Sequence, residues 1–272
     1  MEKINNIQVT VLDEQREYSA GISLEKVAGD FQDRYPHRII MARVNGKLNE
    51  LHKSLDGDAL VEFVTTGEKI GEQSYRRTAT LMLTKAVWDV MGKSEKLVVQ
   101  FSVHKGYYCE IKGHMPMEEN LLKKLSQRMR ILAEQNLPII KRTVSTREAA
   151  EMFESNGMAG KASLLKYRRA SRVNMYQLED ISDYYYGYMA PSTGYITRFE
   201  LIPYRDGFVM QMPVAEAPEI IQEFKPSEKI FNVLKESTLW GERLGICNAG
   251  QLNDCISNGE FMELMLVSEA LQ

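Results

Sequence analysis

The chain has 272 residues, 44% of them hydrophobic and 26% charged, with a formal net charge of -3; this is an ordinary globular composition with room for about two cores. The charge excludes a molecule coated with basic residues for nucleic acid throughout, while leaving a local basic patch open. No apolar run approaches the roughly 20 residues of a membrane-spanning helix. Residues 1–4 begin no secretory signal, and Cys109, Cys247 and Cys255 make no disulfide framework, so a cytoplasmic protein without a membrane partner is expected.

Residues 1–66 read as one small unit. Ile7, Val9 and Val11 alternate with polar residues as in a half-buried strand, and residues 14–20 suit its hairpin partner. Ser23 is placed to cap a helix over 24–31 with Leu24, Val27, Ala28 and Phe31 on one face. Strands follow at 38–44, 47–50 and 59–64, the first two joined by Asn45-Gly46, the signature of a primed hairpin turn. This order predicts a ubiquitin-like β-grasp.

Residues 67–213 read as a second, α+β unit. Ala79, Met82, Leu83, Ala86, Val87 and Val90 recur at helical spacing over 72–91. A hairpin is expected at 97–103 and 107–112 around Lys105-Gly106. Leu121, Leu122, Leu125, Met129 and Leu132 mark another amphipathic helix. A strand at 139–144 is followed by a capping box at Ser145 and Glu148 that opens a helix to residue 155. Further strands are expected at 173–178, 195–201 and 208–212. The tyrosine-dense stretch YYYGYMAPSTGYITRFEL, residues 184–201, reads as a loop and a Pro191-Ser192-Thr193-Gly194 turn that present rings and hydroxyls to a cavity. Residues 214–272 form a proline-punctuated linker and a helical connector. Helices are expected from Ser227 to Trp240, from Asn248, and over 260–271, the last suggesting a chain that continues past Gln272.

VNGKLNEL within the first unit resembles the TGS domain of threonyl-tRNA synthetases and some GTPases. YRRTATLMLTKAV, KGYYCEIKG, LSQRMRILAEQNLPIIKRTVSTREAAEMF and YMAPSTGYITRFEL, in that order, resemble the second additional, editing-type domain that follows TGS in those synthetases. In that family a pair of histidines four apart on the first helix, with a cysteine and a histidine four apart on the loop, grips a metal or water and hydrolyses mischarged tRNA. The resemblance places those positions at Arg77, Leu81, Tyr185 and Met189. None is a ligand or base of the family's kind, which implies an eroded site with no catalytic residue and no metal. The same two domains, with KIFNVLKESTLWGERLGICNAGQLNDCI and SEALQ after them, resemble the N-terminal part of bacterial uridine or nucleoside kinases. That implies a downstream kinase domain of the same chain; ATP and Mg would belong there, and the expected function here is a non-catalytic ligand- or RNA-binding module. An aminoacyl-tRNA editing hydrolase and a stand-alone RNA-binding module are the alternatives.

For a nucleotide or tRNA-like ligand the candidates are Arg76, Arg77, Tyr185, Met189, Ser192, Thr193 and Arg198. The guanidinium groups suit a carboxylate or phosphate, and the same charges equally suit structural salt bridges. The tyrosine rings suit either a base or the core. Lys161, Lys166, Arg168, Arg169 and Arg172, in KASLLKYRRASR, suit RNA phosphates or simply a solvated face. Gly157-Met158-Ala159-Gly160-Lys161-Ala162-Ser163 is too short for a phosphate-binding P-loop and reads as a link between helices. Histidines 37, 52, 104 and 114 have no ligand spacing.

Overall fold

The computed structural model describes residues 6–270. Residues 1–4 and the expected helix end at Leu271, with Gln272, lie outside the described residues. By packing, the chain divides into two compact units, residues 1–140 with 177–225 and residues 141–176 with 226–272. The family-style boundaries at 66 and 213 are drawn differently, because the long helix at 69–91 packs on strands of the β-grasp as well as on its own sheet.

In the first unit, β1 (Asn6–Val11), β2 (Glu14–Ser19), β3 (Ile22–Ser23), α1 (Leu24–Phe31), β4 (Ile39–Val44), β5 (Lys47–Glu50), β6 (Ser54–Leu55) and β7 (Ala59–Thr65) build the β-grasp. Its five-stranded sheet has the order β2-β1-β7-β4-β5, with β1 parallel to β7 and the remaining pairs antiparallel. The hydroxyl of Ser23 caps α1 by accepting the Lys26 N–H at 3.2 Å. This turns Leu24, Val27, Ala28 and Phe31 into the core, as their spacing predicted. Asn45 and Gly46 both take positive φ, 50° and 77°, as a primed turn requires.

The long helix α2 (Lys69–Met91) follows, then β8 (Leu97–Val103), β9 (Gly106–Ile111) and α3 (Glu119–Gln135). With β12 (Ile181–Tyr184) set aside, the chain of this unit ends in β13 (Glu200–Tyr204) and β14 (Gly207–Gln211), which complete an antiparallel sheet of order β13-β14-β9-β8. α2 and α3 pack together. α2 is buried around most of its circumference: Leu81, Met82, Leu83, Ala86 and Val87 are inaccessible, and so are Ser74 and Thr78. A helix in that position has apolar residues on more than one stripe. The strand predicted over 195–201 does not form. Residues 193–195 are a 3-10 turn, and the ladder starts only at Glu200. Apolar alternation in 195–199 reflects burial of Tyr195, Ile196 and Phe199 in irregular backbone.

The second unit contains β10 (Ile140–Ser145), α4 (Thr146–Ser155), α5 (Ala159–Lys166), β11 (Arg172–Leu178), α6 (Glu228–Arg243), α7 (Ala249–Ser257) and α8 (Phe261–Ala270). Ser145, Ser227 and Asn248 each cap the helix after them through the amide three residues on. Residues 157–163 are the expected link, running from the α4–α5 connection into α5. No helix among the described residues is long and apolar enough to cross a membrane.

Candidate functional site

The eroded motif positions do meet in space. The tyrosine loop after β12 lies along one side of α2, held by side chains spaced so that they share a helical face. Arg77 donates from Nη1 to the Tyr188 carbonyl at 3.2 Å and from Nη2 to Gln73 Oε1 at 3.4 Å. One turn on, Thr78 Oγ1 accepts the Ala190 N–H at 2.9 Å, and Thr84 bonds the Tyr185 hydroxyl. From β5, the carboxylate of Glu50 accepts the Met189 N–H at 2.9 Å. Gly187 is what lets the loop come this close. Its φ is +136°, and a Cβ there would sit 2.5 Å from Arg77 Cζ.

The chemistry of this arrangement is closure. The Leu81 and Met189 side chains are buried. Part of Tyr185 stays accessible, but its hydroxyl is deep. Burial, aided by the charge of Asp183 and opposed by the Thr84 bond, pushes its pKa well above the usual tyrosine range. It is therefore a neutral hydroxyl, not a base. Among the described residues no carboxylate stands within salt-bridge distance of Arg77, so the expected carboxylate pairing is corrected: its fork is spent on a backbone carbonyl and an amide. Among the described residues, too, no group of three His, Cys, Asp or Glu is placed to hold a metal.

The other candidates separate. Arg76 takes the structural alternative: its Nε lies 2.9 Å from buried Glu72, its Nη2 donates to the Lys105 carbonyl at 2.7 Å, and its guanidinium stands over Tyr107. Ser192 and Thr193 turn inward. Ser192 donates to Asn136 Oδ1 at 2.6 Å, while Thr193 donates to the Leu132 carbonyl and accepts the Leu137 N–H. Their hydroxyls hold the Pro191 turn on the end of α3, where Asn136 has a left-handed conformation, so the expectation that they line a cavity is corrected. Arg198 is exposed, ion-paired with Glu219 at 2.9 Å. It borders an open cavity of about 640 Å³ that also meets Arg130, Glu134, Glu200 and Ile220. This cavity carries both signs of charge and is distinct from the loop–α2 contact.

Sequence reading missed Glu50, Gln73, Thr78, Thr84 and Gly187. Thr78 and Thr84 lie on the motif face of α2, so helical spacing from Arg77 could have found them. Glu50 had no such signal, since it meets Met189 across 139 residues. Lys85 was also missed. It is nearly buried between Asp89, Glu179 and Asp180. Desolvation works against its charge, but the three carboxylates outweigh it and raise its pKa. This cluster ties the turn before β12, and hence the start of the loop, to α2.

Tyr75 anchors the loop's far end. Its hydroxyl donates to the Arg198 carbonyl at 2.8 Å and accepts the Arg198 N–H at 2.9 Å. Burial, with backbone bonds opposing, raises its pKa to about 12 from an ordinary 10.0. The folded value lies above the unfolded one, so its stabilising contribution is whole below pH 10 and is lost as pH rises through 12. Tyr75→Phe is expected to cost about 2 kcal/mol near neutral pH, the scale of two lost hydrogen bonds to buried backbone. It should also flatten the fall in melting temperature between pH 10 and 12 relative to wild type. Equal alkaline slopes in both proteins would refute this.

In the second unit, Lys161, Lys166, Arg168, Arg169 and Arg172 do not form one open row. Lys166 is bound to Asp254, which also accepts from Ser163 and Tyr167. Lys161 stands over Phe153 and Arg172 donates to the Thr143 carbonyl. Arg168 is half-buried beside a cavity of about 620 Å³ shared with Arg147 and Asp254, and Arg169 is exposed. Residues 141–176 nevertheless carry eight lysines and arginines against three glutamates.

The class these features define is an α+β protein with a TGS-like β-grasp and an editing-type domain. No protein-family model matches the chain. It is similar to the threonine–tRNA ligase of Thermotoga petrophila, 30% identical over 191 residues, which is 69% of this chain and 29% of that ligase. The ligase of Rubrobacter xylanophilus is 30% identical over 185 residues, 68% of this chain and 28% of that protein. Threonine–tRNA ligase 1 of Bacillus subtilis is 27% identical over 188 residues, 69% and 29%. The chain is thus related to threonine–tRNA ligases, and spans less than a third of the length of these relatives. Nothing in these similarities supports the expected association with uridine or nucleoside kinases.

Proposed function

We propose that this chain is a threonyl-tRNA-synthetase-related module that binds a tRNA-like RNA and does not hydrolyse it. The observation that carries the reading is the closed loop–α2 contact. The four motif positions are Arg77, Leu81, Tyr185 and Met189, and the loop's backbone is already bonded to Arg77, Thr78 and Glu50. A general base needs a group that accepts a proton within reach of water. Arginine stays protonated, and leucine and methionine have no proton to exchange.

Binding is assigned to the basic stretch 141–172, because phosphate contacts need cations without catalytic geometry. Arg142 and Arg169 are exposed there, and Arg172 lies beside the Thr143 carbonyl. The choice of RNA over a nucleotide rests on the ligases named above and on the spread of these charges along a surface.

The test is titration of the purified chain with tRNA at several salt concentrations, together with a deacylation assay on mischarged tRNA. Binding should weaken steeply with salt. Arg142→Ala and Arg169→Ala should each lower affinity and reduce the salt slope by about one unit per lost phosphate contact, with deacylation at the buffer rate. Turnover of mischarged tRNA that Arg77→Ala abolishes would return the chain to the editing hydrolases. Absence of tRNA binding at low salt would remove the RNA reading.

A further inference from the structure

The helices of the second unit leave an unusual amount of apolar surface in water. On α8, Phe261 with Met265 and Met262 with Leu266 form two i, i+4 pairs on one face. Met262 is 56% and Leu266 62% exposed. On α7, Leu252 and Ile256 make another such pair. On α6, Ile230 and Val233 are 60% and 58% exposed, while Phe231 between them is buried. No residue of α8 is buried, although six of its ten residues are apolar. A helix of that composition is normally covered.

We infer that these helices form an interface with a second copy of this chain. The size fits: their exposed large apolar side chains together present on the order of 800 Å², about what one partner contributes to a standard-size interface and more than a typical monomer leaves open. The charges choose the pairing. α8 carries Glu263 and Glu269 and no base, so α8 against α8 would set like charges side by side. α6 carries Lys229 next to Ile230. In a twofold pair the α8 of each copy therefore lies on the α6 of the other, making the same contact twice.

Sedimentation of the 272-residue chain from about 1 to 100 µM, the range in which an interface of this size is resolved, tests it. The expected mass is twice the 31.2 kDa of one chain. Val233→Glu and Leu266→Glu should each raise the dimer dissociation constant at least tenfold. Leu60→Glu, at an equally open apolar position in the other unit (49% exposed), should leave it unchanged. All four proteins should show the same circular dichroism, since none of the three side chains is in the core. A wild-type monomer throughout the range would overturn the inference and mean that something other than a copy of this chain covers the face. A dimer indifferent to both helix substitutions, or open-ended association, would overturn it as well.

Discussion

Gly71→Ala is expected to cost about 3 kcal/mol or more, the upper range of overpacking against a part of the fold that cannot yield. Gly71 lies in the first turn of α2, where the helix passes the end of β7. A Cβ there would sit 2.0 Å from the Thr65 carbonyl oxygen and 2.8 Å from its carbon. Both are backbone, so relief requires lifting α2 away from the β-grasp sheet and disturbing the face on which the tyrosine loop rests. Alanine's better helix propensity, about 1 kcal/mol, opposes this loss but does not match it. Gly29 is the control. It is also helical, in α1, with nothing within 4 Å of its would-be Cβ, so Gly29→Ala should stabilise by up to about 1 kcal/mol. Urea denaturation of both variants separates the two effects. If Gly71→Ala melts with or above wild type, α2 does not approach β7 so closely.

Glu50→Ala should be the next most damaging change, at about 2–3 kcal/mol. It removes a buried acceptor and leaves the Met189 N–H without its bond. Glu50→Gln keeps an oxygen at the same reach and should lose roughly half as much, because only the charge assistance disappears. Hydrogen exchange at the Met189 amide is the specific readout. Exchange should accelerate in the alanine variant, while amides in the sheet of β8 and β9 change only with global stability. Unchanged protection of Met189 would show that the loop is not held from the β-grasp side. Loosening the loop does not create an active site, since Arg77, Leu81 and Tyr185 would remain the groups exposed. The same variant therefore gives a second check on the absence of hydrolysis.

Most of the regular elements could be read before any tertiary contact was known, because their signals are local. Ser23 followed by Leu24, Val27, Ala28 and Phe31 specifies a capped amphipathic helix within nine residues. Asn45-Gly46 specifies a hairpin turn within two. Loss of the hydrolytic groups was equally legible, since it concerns which residues stand at four positions. The fate of the charged and hydroxylated candidates was not. Arg76 and Arg77 are neighbours of the same type, yet one faces Glu72 and the Lys105 carbonyl while the other faces the Tyr188 carbonyl. Successive helical residues point about 100° apart, and what each meets depends on chain more than 25 residues away. Ser192 and Thr193 lie in a turn of the kind that commonly displays its hydroxyls. They are buried because the end of α3, some 56 residues earlier, offers Asn136 and the Leu137 N–H as partners. Residue identity and short-range spacing were enough for the helices, the turns and the missing bases. Whether a polar group faces ligand or protein was decided only by long-range packing, which local pattern does not encode.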